Sequence, residues 1–317
     1  MNRTLLPRLL IITLIASLLL GSCTPQAPAA PSVTEAPTPN PIVLTDGLGR
    51  TVNLPGPAQR VVSIAPSNTE ILFAVGAGSQ VVGRDEFTNY PEEAKALPSI
   101  GGSFGQYNNE AIVNLQPDLV LAAEINTPDQ VQALQDLGLT VYLLPNPTDL
   151  EGMYQNLGTV ALMTGHEAEA AKLVESLKTR VQAVEMKVAP ISFRPTVFYE
   201  LDITDPNAPY TAGAGTFIDL LINKAGGFNV GSTLSSPWAQ ISIEELVVLN
   251  PHIILLGDAA YGVSVESVGQ RAGWDSIEAV KNGKVYPFDD DLASRPGPRL
   301  VDGLEELVKL LHPGLMD

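Results

Sequence analysis

The segment Asn109-Glu110-Ala111-Ile112-Val113-Asn114-Leu115-Gln116-Pro117-Asp118-Leu119-Val120-Leu121 has a second copy, Ile243-Glu244-Glu245-Leu246-Val247-Val248-Leu249-Asn250-Pro251-His252-Ile253-Ile254-Leu255. Both read Glu-x-apolar-Val-x-Leu-x-Pro-x-apolar-apolar-Leu. A short helix must stop before the proline, and the apolar run after it reads as a buried strand. Between the copies lies His166–Ala189, with no Gly or Pro and with Leu173, Leu177, Val181 and Val184 at helical spacing. At ~1.5 Å per residue a helix of this length crosses a small domain, about 36 Å. Two copies of one unit flanking one long helix predict two lobes joined by a rigid connector.

The rest of the chain follows the same rhythm. Ile42–Thr45 and Arg50–Leu54 around Asp46-Gly47 read as a hairpin. Arg60–Ala65 is a β-branched run, hence a buried strand. Pro66–Glu70 opens a helix, and Ser67 and Glu70 have capping-box spacing. Strands are expected at 118–123, 139–144, 195–200, 252–257 and 284–288. Helices are expected at 108–115, 128–137, 148–164, 215–225, 241–249 and 298–311. The fold class is therefore α/β, two Rossmann-like lobes with mainly parallel sheets joined by one long central helix.

The N-terminus is a targeting segment. Arg3 and Arg8 precede the apolar run Leu9–Leu20, too short for a comfortable membrane span and suited to a signal peptide. It ends in Leu20-Gly21-Ser22-Cys23, a lipobox pattern whose thiol would take the lipid. Residues 24–41 hold Pro25, Pro28, Pro31, Pro37, Pro39 and Pro41, as in an extended tether. The divisions expected are a signal peptide over 1–22, a tether over 23–41, an N-terminal lobe over 42–165, the connecting helix over 166–190 and a C-terminal lobe over 191–317. The protein is expected to be exported and lipid-anchored at the membrane's outer face.

Composition removes several functions. The 317 residues carry 18 Lys+Arg against 35 Asp+Glu, a net charge of −17, which gives no basic face for nucleic acid. Loss of residues 1–22 would remove two arginines and leave about −19. One cysteine and three dispersed histidines make a thiolate or histidine metal centre improbable, so no metal and no resident cofactor are expected. The chain lacks Gly-x-Ser-x-Gly, a phosphate loop and His-Glu-x-x-His. Gly213-Ala214-Gly215 lacks the third glycine of a dinucleotide fingerprint and reads as a turn into a helix. A cell-surface hydrolase on the same scaffold is the alternative of another class, without a motif to support it.

What stands out is aromatic residues in Gly/Pro loops: Phe87 and Tyr90 around Thr88-Asn89, Phe104 and Tyr107 among glycines, Tyr210 after Pro209, and Trp238 after Pro237. Such loops usually carry function on an α/β scaffold, and strand-end loops of two lobes can face each other across a ligand cleft.

With these pieces in place, the chain from about residue 60 to 317 resembles the class III periplasmic binding proteins, the iron-siderophore and vitamin B12 family that serves ABC importers. The resemblance rests on Arg60–Ile71, Asn89-Tyr90-Pro91, Pro237–Ser242, Trp274-Asp275, Val280–Tyr286 and Ser294–Arg299. It is greatest to the vitamin B12-binding members. It implies a monomeric, non-catalytic protein that delivers a ligand to a permease and its ATPase. It also implies ligand contacts from Phe87, Tyr90, Phe104, Tyr210, Trp238 and Arg295. Phe87, Phe104 and Ala123 stand where the enteric B12 binder has Tyr, Trp and Trp, which leaves a corrinoid, haem or a ferric siderophore open. An anionic siderophore calls for several cleft arginines, and only Arg84, Arg271, Arg295 and Arg299 are candidates. The resemblance further implies that Glu110 and Glu244 dock on the two permease subunits. A carboxylate in the first helical turn is also favoured by the helix dipole alone.

Overall fold

The computed structural model describes residues 40–102 and 105–316. The expected signal peptide, Cys23, most of the tether and Phe104 lie outside the described residues. Among the described residues, no helix is long and apolar enough to cross a membrane.

The first lobe begins with the hairpin β1 (Ile42–Thr45) and β2 (Thr51–Leu54), followed by β3 (Val61–Ser63), α1 (Pro66–Ala74) and β4 (Val81–Arg84). Then come α2 (Asn109–Asn114), β5 (Leu119–Ala123), α3 (Pro128–Asp136), β6 (Val141–Leu144) and α4 (Leu150–Thr164). Its sheet has the order β4-β3-β5-β6 and is parallel throughout. β3, β5 and β6 are buried along their whole length, as strands covered by helices on both faces must be. Helix starts are set by side chains that satisfy free amides: Asn108 caps Ala111, Thr127 and Gln130 form a full capping box, and Asp149 caps Gly152. Gly165, at φ 78°, ends α4 and turns the chain into the connector.

The connector is α5 (Glu167–Val188), close to the expected 166–189. Beyond it the second lobe contains β7 (Thr196–Asp202), β8 (Tyr210–Ala212), α6 (Phe217–Lys224), β9 (Phe228–Asn229), β10 (Trp238–Gln240) and α7 (Ile243–Leu249). It continues with β11 (Ile253–Leu256), α8 (Val265–Val268), α9 (Glu278–Lys281), β12 (Val285–Pro287), α10 (Asp291–Ser294) and α11 (Leu300–Leu311). The strand order is β10-β8-β7-β11-β12, with β9 beside the start of β7. β7, β9, β11 and β12 are parallel, whereas β8 runs antiparallel to both of its neighbours.

The repeat is reproduced in the backbone. α2 and α7 start on the caps Asn108 and Ser242, and each ends at a residue forced to positive φ before proline, Gln116 at 48° and Asn250 at 46°. These are the non-glycine residues with positive φ among those described, and they occupy the same position in the two copies.

α5 packs against α4 of the first lobe and α11 of the second. Leu177, Val181 and Val184 belong to a buried cluster that includes Val61 and Leu121 on one side and Val197, Leu255 and Leu304 on the other. Separate clusters fill the opposite faces of the two sheets, around Ile64 and Val120 and around Phe198 and Trp274. Arg180 ties α5 to Asp302 and Glu305 of α11, and Lys178 ties it to Glu151 of α4.

Three expectations are corrected. The capping box of Ser67 and Glu70 does not form: the N-cap is Ala65, without a side-chain cap, so Ser67 is already inside the first turn. Two guanidinium groups hold the Glu70 carboxylate instead. The hairpin reverses over Asp46–Arg50 rather than at Asp46-Gly47 alone, because the Asp46 carboxylate accepts the amides of Leu48 and Arg50 at 3.0 Å each. The short strands β4, β8, β9 and β10 were not expected.

Candidate functional site

In each lobe the loops leave the carboxyl ends of the parallel strands, the usual place for a ligand on an open α/β sheet. The two sets of loops meet at one point. Asn89, after β4, donates from Nδ2 to Asp291 Oδ2 at 2.9 Å. Arg295 donates to Asn89 Oδ1 at 2.7 Å, to Glu70 Oε1 at 2.9 Å and to the Phe87 carbonyl at 3.5 Å. Arg299 donates to both oxygens of Glu70, at 2.8 and 2.7 Å. The Glu70 side chain is fully buried, so this is an ion triad shared between the lobes. Its guanidiniums are committed to protein carboxylates, with Asp291 also pairing Arg295 at 2.9 Å.

Phe87 stands beside this junction. Asp85 fixes its loop by accepting from the Phe87 amide at 2.8 Å and the Thr88 hydroxyl at 2.5 Å. Burial pushes the Asp85 carboxyl upward, against those donated hydrogen bonds. Thr88 contacts Thr69, which donates to Ser63, so the loop is anchored in the sheet. The Phe87 ring itself is 58% exposed. Tyr90 points elsewhere: Arg299 lies 4.3 Å from its ring centroid, and it lines a cavity of about 390 Å³ with Glu70, Phe73, Leu177, Arg180 and Arg299 beside the connecting helix. Tyr107 is half-buried, donating to the Ile64 carbonyl and accepting from Asn126.

Tyr210 and Trp238 lie on adjacent strands of the second lobe. Tyr210 pairs with Gln240 and Ala212 pairs with Trp238 across β8 and β10. Paired residues and residues two apart share a face, so Tyr210 and Trp238 are diagonal neighbours on one face, within reach of each other. They are 45% and 55% exposed, large flat groups left open. Tyr210 also pairs with Asp202 at the carboxyl end of β7. A second cavity, about 500 Å³ at the hairpin, contains none of these aromatics, and neither does the first contain Phe87, Tyr210 or Trp238.

One group had no signal in the residue types alone. Glu200 is completely buried on β7, and Arg271 donates to its two oxygens at 2.5 and 3.0 Å. Asp258, just past β11, is 4% exposed, and neither of its oxygens has a hydrogen-bond partner. Burial raises Glu200 to about 7 despite Arg271, and the Asp258 carboxyl adds to that rise. Burial raises Asp258 as well. A proton held between the two carboxyls would give both a partner. The readable signal was position: a carboxylate at the end of each of two neighbouring buried strands. Arg271 also covers the Trp274 ring at 4.6 Å, and the indole donates to Pro206 in the β7–β8 loop. Arg84 is spent on the carbonyls of Asp85 and Lys95. All four candidate arginines are thus engaged within the protein. Among the described residues no cluster of His, Cys, Asp and Glu could hold a metal ion.

Glu110 and Glu244 are exposed in the first turns of α2 and α7, at equivalent positions of the two copies.

The periplasmic binding protein family matches residues 61–292, and the chain belongs to that family. It is similar to an uncharacterized ABC transporter substrate-binding lipoprotein of Bacillus subtilis (strain 168), 33% identical over 95% of each chain. Among solved structures it resembles the periplasmic vitamin B12 binding protein of Vibrio cholerae, at 27% identity and TM-score 0.68, covering 80% of this chain and 97% of that one. It also resembles the periplasmic haem-binding protein of Roseiflexus sp. RS-1, at 26% identity and TM-score 0.73, covering 81% and 99%. The protein binds a solute and is not an enzyme.

Proposed function

We propose that this protein captures a corrinoid between its two lobes and delivers it to the permease of an ABC importer. The observation that carries this reading is the exposed pair Tyr210 and Trp238 on one sheet face, with exposed Phe87 on the other lobe at the junction. Flat aromatic surface left open to water suits a wide, flat, largely apolar macrocycle. Phe104 completes the proposed contact set. Arg295 borders it from the junction, positioned by Glu70 and Asn89, whereas Tyr90 turns toward the connecting helix and is left out of the proposed set.

Glu110 and Glu244 are proposed to dock on a two-fold symmetric permease, one carboxylate per lobe, because they are equivalent in the repeat and both exposed. The lipobox at Cys23 is proposed to anchor the exported chain, in keeping with the name of the Bacillus subtilis relative.

Haem capture is the second reading. A haem-binding structure shares the fold, and Tyr210 offers an exposed phenol able to ligate iron. The engaged arginines weigh against it, since haem propionates call for free cations. Purified protein incubated with cobalamin and with haem, then freed of unbound ligand, separates the two by the visible spectrum retained. A corrinoid spectrum at one equivalent is expected. Retention of haem alone removes the corrinoid assignment.

A further inference from the structure

We infer that the cleft selects its ligand by charge, accepting a corrinoid with amidated side chains and rejecting the same ring with free carboxylates, and that Asp202 sets this preference. The inference rests on the corrinoid reading and narrows its ligand class.

The stretches that leave the carboxyl ends of the parallel strands at 85–91, 124–127, 203–209, 257–264 and 288–290 contain no Lys or Arg, and Lys95, farther along the β4–α2 connection, is paired with Glu92. They and the end of β7 present the exposed carboxylates Glu86, Glu124, Asp202, Asp205 and Asp289. Of the nearby arginines, Arg271, Arg295 and Arg299 are paired with Glu200 and Glu70, and Arg84 is turned onto the backbone carbonyls of Asp85 and Lys95. A ligand carboxylate entering here meets like charge, and the arginines behind these loops are already engaged within the protein. A ligand amide offers N–H donors to the same oxygens.

Asp202 is the carboxylate best placed to discriminate. It is the cross-strand partner of Tyr210, whose exposed ring belongs to the proposed contact set. Its carboxyl is held below the ordinary range by the side chain and the backbone amide of Thr204, so it stays ionised at neutral pH. Like charges a few ångströms apart at a protein surface repel strongly enough to shift affinity by one to two orders of magnitude.

The test uses three probes on one macrocycle: dicyanocobinamide with amide side chains, dicyanocobyrinate with carboxylates, and its heptamethyl ester with neither charge nor N–H. Titrations at low and high salt should show cobyrinate on the order of 100-fold weaker than cobinamide, with the gap narrowing as salt rises. The ester should lie nearer the amide than the acid. Asp202→Asn keeps an oxygen for the Thr204 amide, now accepted at 2.7 Å, and should raise cobyrinate affinity roughly tenfold relative to cobinamide. Cobyrinate binding as well as cobinamide, an ester as weak as the acid, or a gap untouched by salt and by Asp202→Asn overturns charge selection and leaves the corrinoid reading standing. Failure of all three corrinoids to bind removes both.

Discussion

Replacing Trp238 with alanine isolates the aromatic contact from the fold. The indole is 55% exposed on the edge strand β10, so most of what it can bury is still open. Taking ~250 Å² for a whole Trp side chain, about 140 Å² is available to a ligand, and at ~25 cal/mol per Å² its burial has a ceiling near ~3.5 kcal/mol. Losses of freedom on association reduce what is recovered, which leaves about 2 kcal/mol, or roughly 30-fold in affinity. Calorimetric titration of cobalamin against the wild type and Trp238→Ala reads this directly. Urea denaturation should show a stability change below ~1 kcal/mol, because the ring contributes little to the buried core. Tyr210→Ala combined with Trp238→Ala should cost less than the sum of the single changes, since diagonal neighbours cover one patch of ligand. An affinity change under about threefold for Trp238→Ala, with the fold intact, refutes the aromatic site.

Four further outcomes are expected. Glu200 rises from 4.5 to about 7 on folding, so the native state holds a proton that the unfolded chain has released. Stability should therefore fall as pH rises through that window, by at most about 3 kcal/mol, and Glu200→Gln should flatten the slope in urea titrations at several pH values; equal slopes exclude the shared proton. Glu70→Ala strands two largely buried guanidiniums and should cost ~3–5 kcal/mol in unfolding free energy, and a cost under ~1 kcal/mol would show that Asp289 and Asp291 suffice. Glu110→Arg with Glu244→Arg should preserve ligand affinity yet abolish ligand-stimulated ATPase activity of the cognate importer in liposomes; normal stimulation would reduce the repeat to architecture. Cys23→Ala should shift the protein from the detergent phase to the aqueous phase, and unchanged partitioning would dismiss the lipobox.

The repeat and the connector were legible because their signals are local. Leu-x-Pro stops a helix and an apolar run starts a strand within a dozen residues, and both copies fold that way. The short strands β8, β9 and β10 have two or three residues each, too few for alternation to register. In β4, Val81–Arg84, a glycine interrupts the run. The aromatic loop residues were visible by type, but the meeting of Tyr210 and Trp238 depends on register, which their spacing along the chain does not encode. Glu70 invited a capping assignment and Arg295 a ligand assignment. Their pairing joins residues 225 positions apart, and no local pattern announces it. The Glu200 and Asp258 pair is similar in kind, arising from two strands brought together by the sheet.

The junction explains why such a site is built stiff. Swinging the lobes apart would pull Leu177, Val181 and Val184 of α5 away from one half of a continuous core. Each buried aliphatic side chain exposed costs ~1.5–3 kcal/mol. Opening would also part Glu70 from Arg295 and Arg299, stranding charges already removed from water. These costs oppose a wide hinge, so the aromatic surfaces stand preformed before ligand arrives. The second lobe places the proposed ligand contact and the proposed docking carboxylate on one short stretch. Trp238 begins β10, Ser242 caps the next helix through the Glu245 amide, and Glu244 stands exposed in that helix's first turn. A ligand held at Trp238 therefore orders the same few residues that present the proposed docking carboxylate, with no domain closure needed to link them.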